Sequence, residues 1–595
     1  MSNDDSNAPL PVTLDESLQV FQPLRPAESV LLLALRAGAI ARVGLRRPLV
    51  PSVDVTLRGE FVSALVRSRI GTRLEESNLE MIGAWIEGRI DLRDATVPRS
   101  LWFYRCVLDA TPRLDGARIG GSVSFRGCLL PGLRAESCAF AEDLALNSGC
   151  TVRNEVRLAR ATIGRDLDCE RLQLRSSERS PSPPRRRMLA DGVRIDGDAI
   201  LADGFRADGD VRFVGARIAG NLRADNAHLS GNISSSGERG DALNLDRVQV
   251  AGNVSLDRGF TAAGTVRMAR ARIDGDLDCT GAAFDVYGEA AFAGGVALLL
   301  DRARVSGSLL LARLRRPLVA ASLLGARVGA LLDDATTWGG RLALDGFAYS
   351  RFAAGAPTDA AFRLRWLAHQ ERGHLGRDFR PGPWSQVIAV LRRMGHDHAA
   401  KVIAIAHESH RRRIGRVGAG VPRLLRWLPR LGHALFGAFT GYGYRPLRIV
   451  SGMTIVWLAC SGLYSAAAEE GAMAPTDPLV FDSPHYASCR EQPATGAAQS
   501  GNWARCPQLP PEYPAFSPFA YSLDLLLPLM DLQQEQRWAA LNDAAEPSLG
   551  THATARHAWR VAARFMSSFE ILFGWIASLT LIAAIAGVFN REHGR

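Results

Sequence analysis

A nine-residue phrase, "ARIDGDLDC" at 271–279, recurs with variations along the first half of the chain. Its variants include "ATIGRDLDC" (161–169), "ARIAGNLRA" (216–224), "VQVAGNVSL" (248–256) and "ARVSGSLLL" (303–311). Phrases that start at 193, 216, 248, 271, 303 and 326 alternate in steps of 23 and 32 residues, which makes a larger repeat of 55. Self-similarity at a fixed period indicates identical structural units stacked on one another.

Apolar and polar residues alternate within each phrase, which is the periodicity of a β-strand and not of a helix. We expect the apolar members to point inward and the aspartates outward: Ile273, Leu277 and Cys279 against Asp274, Asp276 and Asp278. The glycine between the two short strands permits a tight bend toward the next face. Short strands, sharp corners and a constant step predict a mainly β fold, a parallel β-solenoid over about residues 78–350.

The cysteines of the predicted solenoid mostly occupy apolar positions of the phrase: Cys106, Cys128, Cys138, Cys150, Cys169 and Cys279. Because they form no C-x-x-C pair, we favour buried small hydrophobes in a reducing compartment over a redox or metal site. His407 and His410 share a helical face, but they lack an acidic or cysteine partner at ligand spacing, so no metal site is predicted there. The insert "RSSERSPSPPRRR" (175–187) is predicted to be a loop that interrupts the stack.

Segments of other composition flank the solenoid. Residues 1–25 are expected to be disordered, and residues 26–77 to form a helical N-terminal cap. Beyond about residue 350 the apolar spacing becomes helical. Residues 351–420 are therefore predicted to form a helical hairpin and linker that covers the last coil of the solenoid.

Two apolar runs predict transmembrane helices. Residues 449–468 contain no charged residue and residues 569–589 contain only Glu570, and each run is long enough to cross a bilayer core of about 30 Å. The formal net charge of the chain is +10, and residues 401–448 hold ten Lys and Arg against one acid, Glu408. Positive charge beside the first run places the solenoid and the tail 590–595 in the cytoplasm and the loop 469–568 outside it.

The basic segment 421–448 mixes arginines with leucine, tryptophan and phenylalanine, which is typical of a helix in the headgroup layer. The lipid bilayer, and not nucleic acid, is therefore the expected partner of this segment. The predicted headgroup contacts are Arg423, Arg426, Trp427, Arg430, Arg445 and Arg448.

The predicted outer loop contains two further features. Cys489 and Cys506 are expected to form a disulfide, because paired cysteines outside the cytoplasm are normally oxidised. The segment 519–538 contains an apolar stretch of only about 12 residues, which is too short to cross a membrane; we favour a helix packed on the membrane surface, with a re-entrant fold as the alternative.

Acidic residues in this region are candidates for an ion path. In the re-entrant case Asp524, Asp531 or Glu535 could ring a cation path in a homo-oligomer. Glu570 lies at the outer end of the second predicted span, where a membrane carboxyl is a functional candidate. Gly574 and Ser578 form a small-x-x-x-small pair that would let another helix approach closely.

Several stretches carry a family resemblance: "AESVLLLALRAG" (27–38), the "ARIxGxLxL"-type phrases, "WSQVIAVLRRMGHDHAAKVIAIAHESHRRR" (384–413), "YSLDLLLPLMDLQQEQRW" (521–538) and "GWIASLTLIAAIAGVF" (574–589). Over most of its length the chain resembles bacterial membrane proteins with pentapeptide-like solenoid repeats, some of which are labelled membrane-associated oxidoreductase. It departs from them at Trp384, where the resemblance would suggest a tyrosine after the proline. The resemblance implies the architecture and a bacterial cytoplasmic membrane, and it offers no established catalytic residues.

The sequence supports a non-enzymatic function best. We favour a membrane-anchored scaffold or envelope sensor, with an unknown protein partner on the solenoid, because no nucleophile, base and oxyanion donors converge in the pattern. The alternative is a subunit of an oligomeric pore, and a second alternative is the oxidoreductase that the resemblance names. No cofactor is predicted, since "GRVGAG" (415–420) follows a predicted helix instead of preceding one.

Overall fold

The computed structural model describes residues 16–67, 78–175, 186–231, 240–285, 295–417, 421–422, 425–445, 447–489, 501–541 and 551–593. The chain divides into two compact units, residues 1–403 and residues 404–595, which are described separately. Of the N-terminal segment for which disorder is expected, residues 1–15 lie outside the described residues, and Glu16–Gln19 forms a short helix, α1.

In the first unit, parallel strands begin earlier than the sequence interpretation places them. Helix α2 (Pro26–Ala37) buries Leu31, Leu32 and Leu35 and ends at Gly38, whose φ of 61° is left-handed. The strand Ala41–Arg42 then pairs in parallel with Met81 and Ile82 of the strand Leu79–Ile82. Helix α3 (Gly59–Arg67) follows the strand Thr56–Arg58. The solenoid therefore starts near residue 40, inside the segment 26–77 for which the sequence predicts a helical cap.

Most coils of the solenoid contain four short strands, and successive coils pair in parallel. We call the four sides of a coil faces 1 to 4. The strands of face 1 are Thr96–Val97, Arg118–Ile119, Ala139–Phe140, Thr162–Ile163, Arg194–Ile195, Arg217–Ile218, Gln249–Val250 and Arg272–Ile273. Those of face 2 are Ala41–Arg42, Leu79–Ile82, Leu101–Tyr104, Val123–Arg126, Leu144–Ala145, Leu167–Asp168, Ala199–Ile200, Leu222–Arg223, Val254–Ser255 and Leu277–Asp278. In the last coils single strands run along both of these faces: Arg304–Leu311, Arg327–Asp333 and Ala348–Phe352.

The other two faces form separate sheets. The strands of face 3 are Thr56–Arg58, Trp85–Glu87, Val107–Leu108, Leu129–Leu130, Thr151–Val152, Gln173–Leu174, Arg206–Asp208, His228–Ser230, Thr261–Ala263 and Ala283–Asp285. Those of face 4 are Leu133–Arg134, Val156–Arg157, Arg186–Leu189, Asp210–Arg212, Asp241–Asn244, Thr265–Arg267, Leu298–Leu299, Leu318–Ser322 and Trp338–Ala343.

The alternation within the phrase 271–279 is confirmed. Ile273, Leu277 and Cys279 are buried, whereas Asp274 is exposed and the other two aspartates are partly exposed. The strand register also explains the repeat of 55 residues. Equivalent face 1 residues Arg194, Arg217, Gln249 and Arg272 pair in steps of 23, 32 and 23. The longer coils carry their extra residues between faces 3 and 4.

One of these longer connections contains the insert 175–187. Its residues 176–185 lie outside the described residues, so the predicted loop is not tested. Arg186 and Arg187 already belong to the face 4 strand Arg186–Leu189. The Arg187 side chain is buried and donates to the backbone oxygens of Asp208 and Asn154.

Glycine is needed in the phrase because successive coils lie too close together for a Cβ atom at that position. It is not needed for a left-handed backbone. A Cβ on Gly275 would lie 2.7 Å from the carbonyl oxygen of Gly252 and 2.2 Å from Asn253 Oδ1, both in the coil before it. The next residue of the phrase builds a ladder, because each Asp or Asn side chain accepts from the equivalent backbone N–H one coil further on. We call each of these bonds a rung. From backbone N–H to side-chain Oδ1, the rungs join Asp198 to Asp166 (2.7 Å), Asn221 to Asp198 (2.6 Å), Asn253 to Asn221 (2.9 Å) and Asp276 to Asn253 (2.8 Å).

The solenoid cysteines are buried, as the phrase predicts. Burial raises the pKa of the Cys138 and Cys150 thiols to about 12. Thiols with such values remain protonated and unreactive at neutral pH, which agrees with a packing role.

A helical segment covers the C-terminal end of the solenoid. Its helices are α4 (Ala360–Ala368), α5 (Arg372–Leu375) and α6 (Gly382–Arg393). Helix α7 (Asp397–Arg413) follows in the chain, and the boundary between the two units falls within it. Arg363 of α4 is fully buried and donates two hydrogen bonds, of 2.7 and 2.8 Å, to the carboxylate of Asp333. Gln386 and Arg393 of α6 donate to backbone oxygens of the last strand, Ala348–Phe352. The free edge of the stack is therefore closed to further strands.

The second unit is mainly helical. Its helices are α8 (Trp427–Thr440), α9 (Leu447–Glu469), α10 (Pro478–Phe481), α11 (Pro518–Leu526) and α12 (Thr551–His593). The strands Met473–Pro475 and Trp538–Ala540 pair antiparallel. Helix α12 is continuous, so the end of the predicted outer loop and the second apolar run belong to one helix.

Candidate functional site

Two helices of the second unit are long and apolar. Among the described residues, Leu447–Glu469 of α9 and His557–Ala583 of α12 are long and apolar enough to cross a membrane, with mean hydropathies of 1.5 and 1.6. Only 28% and 17% of their most apolar windows are buried. A core helix of a water-soluble protein would bury most of such a surface.

Helix α11 lies between these two helices and not on the surface of the unit. Near its start, Trp457 Nε1 of α9 donates to the carbonyl oxygen of Phe519 at 2.9 Å. At its end, Leu526 packs in a buried cluster with Ile449 and Met453 of α9 and Ala577 of α12. These contacts bury Leu525 and Leu526 of α11, whereas Phe519 remains exposed to 55%. The packing of 519–538 on a membrane surface stays a prediction.

A glycine of α12 allows this approach. A Cβ on Gly574 would lie 2.1 Å from the carbonyl oxygen of Leu526. The small-x-x-x-small pair of Gly574 and Ser578 thus meets α11 of the same chain. Ser578 lines a groove of about 370 Å³ beside Met453, Trp457 and Leu527.

Asp524 ties α11 to the segment that follows it. Its buried carboxylate accepts from the backbone N–H groups of Leu532 at 2.7 Å and of Gln534 and Glu535 at 2.9 Å each. Three such bonds occupy most of the accepting capacity of a carboxylate. Asp524 therefore fixes the segment that follows α11 to the end of that helix.

The two acidic residues of the returning segment (527–537), Asp531 and Glu535, are exposed. The Asp531 carboxylate accepts from the Gln533 N–H and from the Gln536 side chain, and Glu535 points outward beside it. Leu529 is also exposed, to 81%. The segment ends at Trp538, whose Nε1 donates to the carbonyl oxygen of Pro514. We call α11 and the returning segment together the hairpin 518–537.

Glu570 is fully buried where α9, α11 and α12 meet. Tyr464 Oη of α9 donates to its Oε2 at 3.0 Å, and Ser522 Oγ of α11 lies 2.5 Å from its Oε1. The Cys460 thiol is also in hydrogen-bond contact with the carboxyl. Sequence reasoning picks out Glu570 but misses its partners, since Tyr464 and Ser522 carry no local motif and are 106 and 48 residues away.

The cysteines of the predicted outer loop are joined. Cys489 and Cys506 form a disulfide with their Cα atoms 5.6 Å apart. Cys489 is buried in the same cluster as Trp503 and Tyr521, so the bridge attaches this loop to the core of the unit.

The predicted headgroup residues lie on and around α8. Arg423 lies outside the described residues. Arg426 donates to the carbonyl oxygen of Val421, and Arg430, Arg445 and Arg448 are exposed. Trp427 and several further apolar side chains of α8 are also exposed: Leu428, Leu431, Leu435, Phe436 and Phe439.

The histidines near this helix take part in local contacts. His433 Nε2 lies 3.4 Å from the Glu408 carboxylate, which also pairs with Arg411. Burial lowers the pKa of His407, which favours its neutral form. In the part of the chain that the structure describes, no group of three His, Cys, Asp or Glu side chains could hold a metal ion.

Comparison with known proteins identifies no relative: no family model, no curated protein and no solved structure matches the chain.

Proposed function

We propose that the protein is anchored in the bacterial cytoplasmic membrane by α9 and α12 and that several copies together form a cation path. In this arrangement the solenoid and the C-terminus lie in the cytoplasm, and residues 469–568 connect the spans on the outer side. The hairpin 518–537 enters the bilayer between the two spans of its own chain and returns.

The exposed apolar surface supports the anchoring. Ile455 and Leu458 of α9 and Leu572 and Leu579 of α12 are all more than half exposed, which suits contact with lipid tails. The arginines at the start of α9 and the exposed apolar side chains of α8 suit a headgroup layer on the cytoplasmic side.

The main support for an ion path is the depth to which the hairpin would enter the bilayer. Leu526 packs against Met453 and Ile449, which lie in the first turns of α9, so the end of α11 reaches the part of that helix proposed to face the cytoplasm. The chain then returns as irregular backbone with exposed Asp531 and Glu535. Hydrocarbon does not tolerate irregular backbone or exposed carboxylates; such a segment is found only against protein or a water-filled cavity.

Two spans of one chain do not enclose a path, so the hairpins of neighbouring copies must meet around it. Carboxylates facing that space would favour cations. Of the three acidic residues of the hairpin, Asp531 and Glu535 are the two that can fulfil this role, since Asp524 is bound to the backbone.

Flux through vesicles that contain the purified full-length protein tests this proposal. We expect cation flux above that of protein-free vesicles, and a several-fold decrease in the double variant Asp531→Asn, Glu535→Gln. Glu512→Gln is the matched control, because Glu512 is exposed in the same outer segment but outside the hairpin. No flux in the wild type, or equal flux in the wild type and the double variant, would contradict the proposal.

A scaffold function is the second candidate, favoured by the first unit. Its long solenoid ends in a helical cap and presents a regular outer surface that an ion path does not require. We expect crosslinking in native membranes, followed by mass spectrometry, to join an unidentified cytoplasmic protein to residues of faces 1 to 4. Crosslinks confined to copies of this chain would contradict it. The oxidoreductase label of the resembling proteins is not part of either proposal.

A further inference from the structure

Ser522 has one hydroxyl hydrogen and lies beside two oxygens that only accept if Glu570 is ionised. Ser522 Oγ lies 2.5 Å from Glu570 Oε1 and 3.2 Å from the carbonyl oxygen of Trp457. A carbonyl oxygen and a carboxylate can only accept, and a serine hydroxyl has one hydrogen to donate. With an ionised Glu570, that single hydrogen serves one of these two oxygens, and the other contact then brings two acceptors together without a hydrogen.

A proton on Glu570 resolves this shortage. The acid then donates from Oε1 to Ser522 Oγ, Ser522 donates to the Trp457 carbonyl oxygen, and Tyr464 Oη still donates to Oε2. Both oxygen contacts of Ser522 then contain a hydrogen. We propose that Glu570 is a proton-binding site whose bound proton completes the hydrogen bonds that join α11 to α9 and α12.

The surroundings of the carboxyl agree with an uncharged acid. The side chains in contact with it are neutral: Ser522, Tyr464 and Cys460. The charged groups around the adjacent Tyr521 are acidic, namely Asp524 and Glu535. Among the described residues no positively charged side chain contacts the Glu570 carboxyl, and burying a carboxylate without such a partner is costly.

Release of the proton has a definite structural result. The proton goes to bulk water, and the carboxylate that remains takes the Ser522 hydrogen, so the bond from Ser522 to the Trp457 carbonyl is lost. Helix α11 is then held less firmly against α9. Any effect on ion flux rests on the proposed function, whereas the proton site itself rests on the hydrogen bonds.

Infrared spectroscopy of the full-length protein tests the site directly. At neutral pH the difference between wild type and Glu570→Gln should contain the C=O stretching band of a protonated carboxyl, shifted in heavy water. Asp531→Asn, which alters an exposed carboxylate, should leave that band unchanged. A difference spectrum with only the bands of an ionised carboxylate would overturn the proposal.

A second variant keeps the test decisive if Glu570→Gln does not fold. Ser522→Ala retains the acid but removes the acceptor of its hydrogen bond, so the same band should remain and shift in frequency. If the band does not move, the proton is not shared with Ser522 and the proposal fails. These spectra require no ion flux, so a failed flux experiment and a failed proton site give separate results.

Discussion

The solenoid and the C-terminal unit bury their acidic groups in opposite ways. In the first unit, buried Glu28 of α2 is paired with Arg58. Burial raises the pKa of Glu28, but the hydrogen bonds from Arg58 and Arg25 outweigh this effect and lower that pKa. Asp333 is likewise paired with Arg363. In the described part of the C-terminal unit, the donors to Glu570 are uncharged. The first unit thus fixes its charges permanently, whereas the second contains an acid whose charge can change.

The largest predicted effect tests the fixed charges of the first unit. Arg363→Met leaves Asp333 buried with only the Trp338 indole as a side-chain donor, because Arg363 supplies both of its charged contacts. We expect the free energy of unfolding to fall by about 3–5 kcal/mol, as for other broken buried ion pairs. Urea unfolding followed by far-ultraviolet circular dichroism measures it.

Arg272→Met is the control for this variant, since Arg272 is exposed on face 1. Its effect should stay within about 0.5 kcal/mol. A loss of less than 1 kcal/mol in Arg363→Met, roughly the value of an exposed ion pair, would show that the buried pair does not hold the cap.

The next effect concerns the disulfide that attaches the loop between α9 and α12 to the core of the second unit. Replacing Cys489 and Cys506 by serine removes a bridge across 17 residues, which is worth about 3 kcal/mol in the chain-entropy description. We expect proteolysis between residues 470 and 541 to become at least several-fold faster. Wild type treated with a reducing agent should behave like the double variant, and unchanged proteolysis in both would contradict the prediction.

The repeats explain why much of the solenoid could be predicted from sequence. Each coil packs on a copy of itself, so the inward position of Ile273 in one coil implies that of Val305 in the next. Even there the role of Gly275 could not be predicted, because it depends on the distance to the coil before it and not on local backbone preference.

The C-terminal unit has no such internal copy. The sequence predicts two long apolar helices, and the structure contains them. The position of α11 depends on contacts between non-repeated segments, such as Gly574 with Leu526, and no periodic pattern connects these residues. For the same reason Asp524 and Asp531 are equal candidates in the sequence, although one is bound to backbone and the other is exposed.

A smaller effect is expected where α11 meets α12. In Gly574→Ala the new methyl group would lie 2.1 Å from the Leu526 carbonyl, so α11 must move outward, at about 1–3 kcal/mol. Hydrogen exchange in peptides that cover 518–541 should become faster. Gly462→Ala in α9 is the matched control, because a Cβ there would meet no atom within 4 Å. Equal exchange in the two variants would show that α11 does not depend on this contact.

The smallest effect tests the ladder of the solenoid. Asn253→Ala removes the side chain that accepts from the Asp276 N–H and leaves that donor without its partner, which should reduce the free energy of unfolding by about 0.5–1.5 kcal/mol. The urea midpoint measures the change, and Asp274→Ala, at a neighbouring exposed position outside the ladder, should leave the midpoint unchanged. The effect is small because the rungs on either side remain, and coil pairing continues through the backbone bond from Gly275 to Gly252. A loss as large as that in Arg363→Met would mean that a single rung controls the whole stack, and the contrast between repeated and unrepeated contacts would then be wrong.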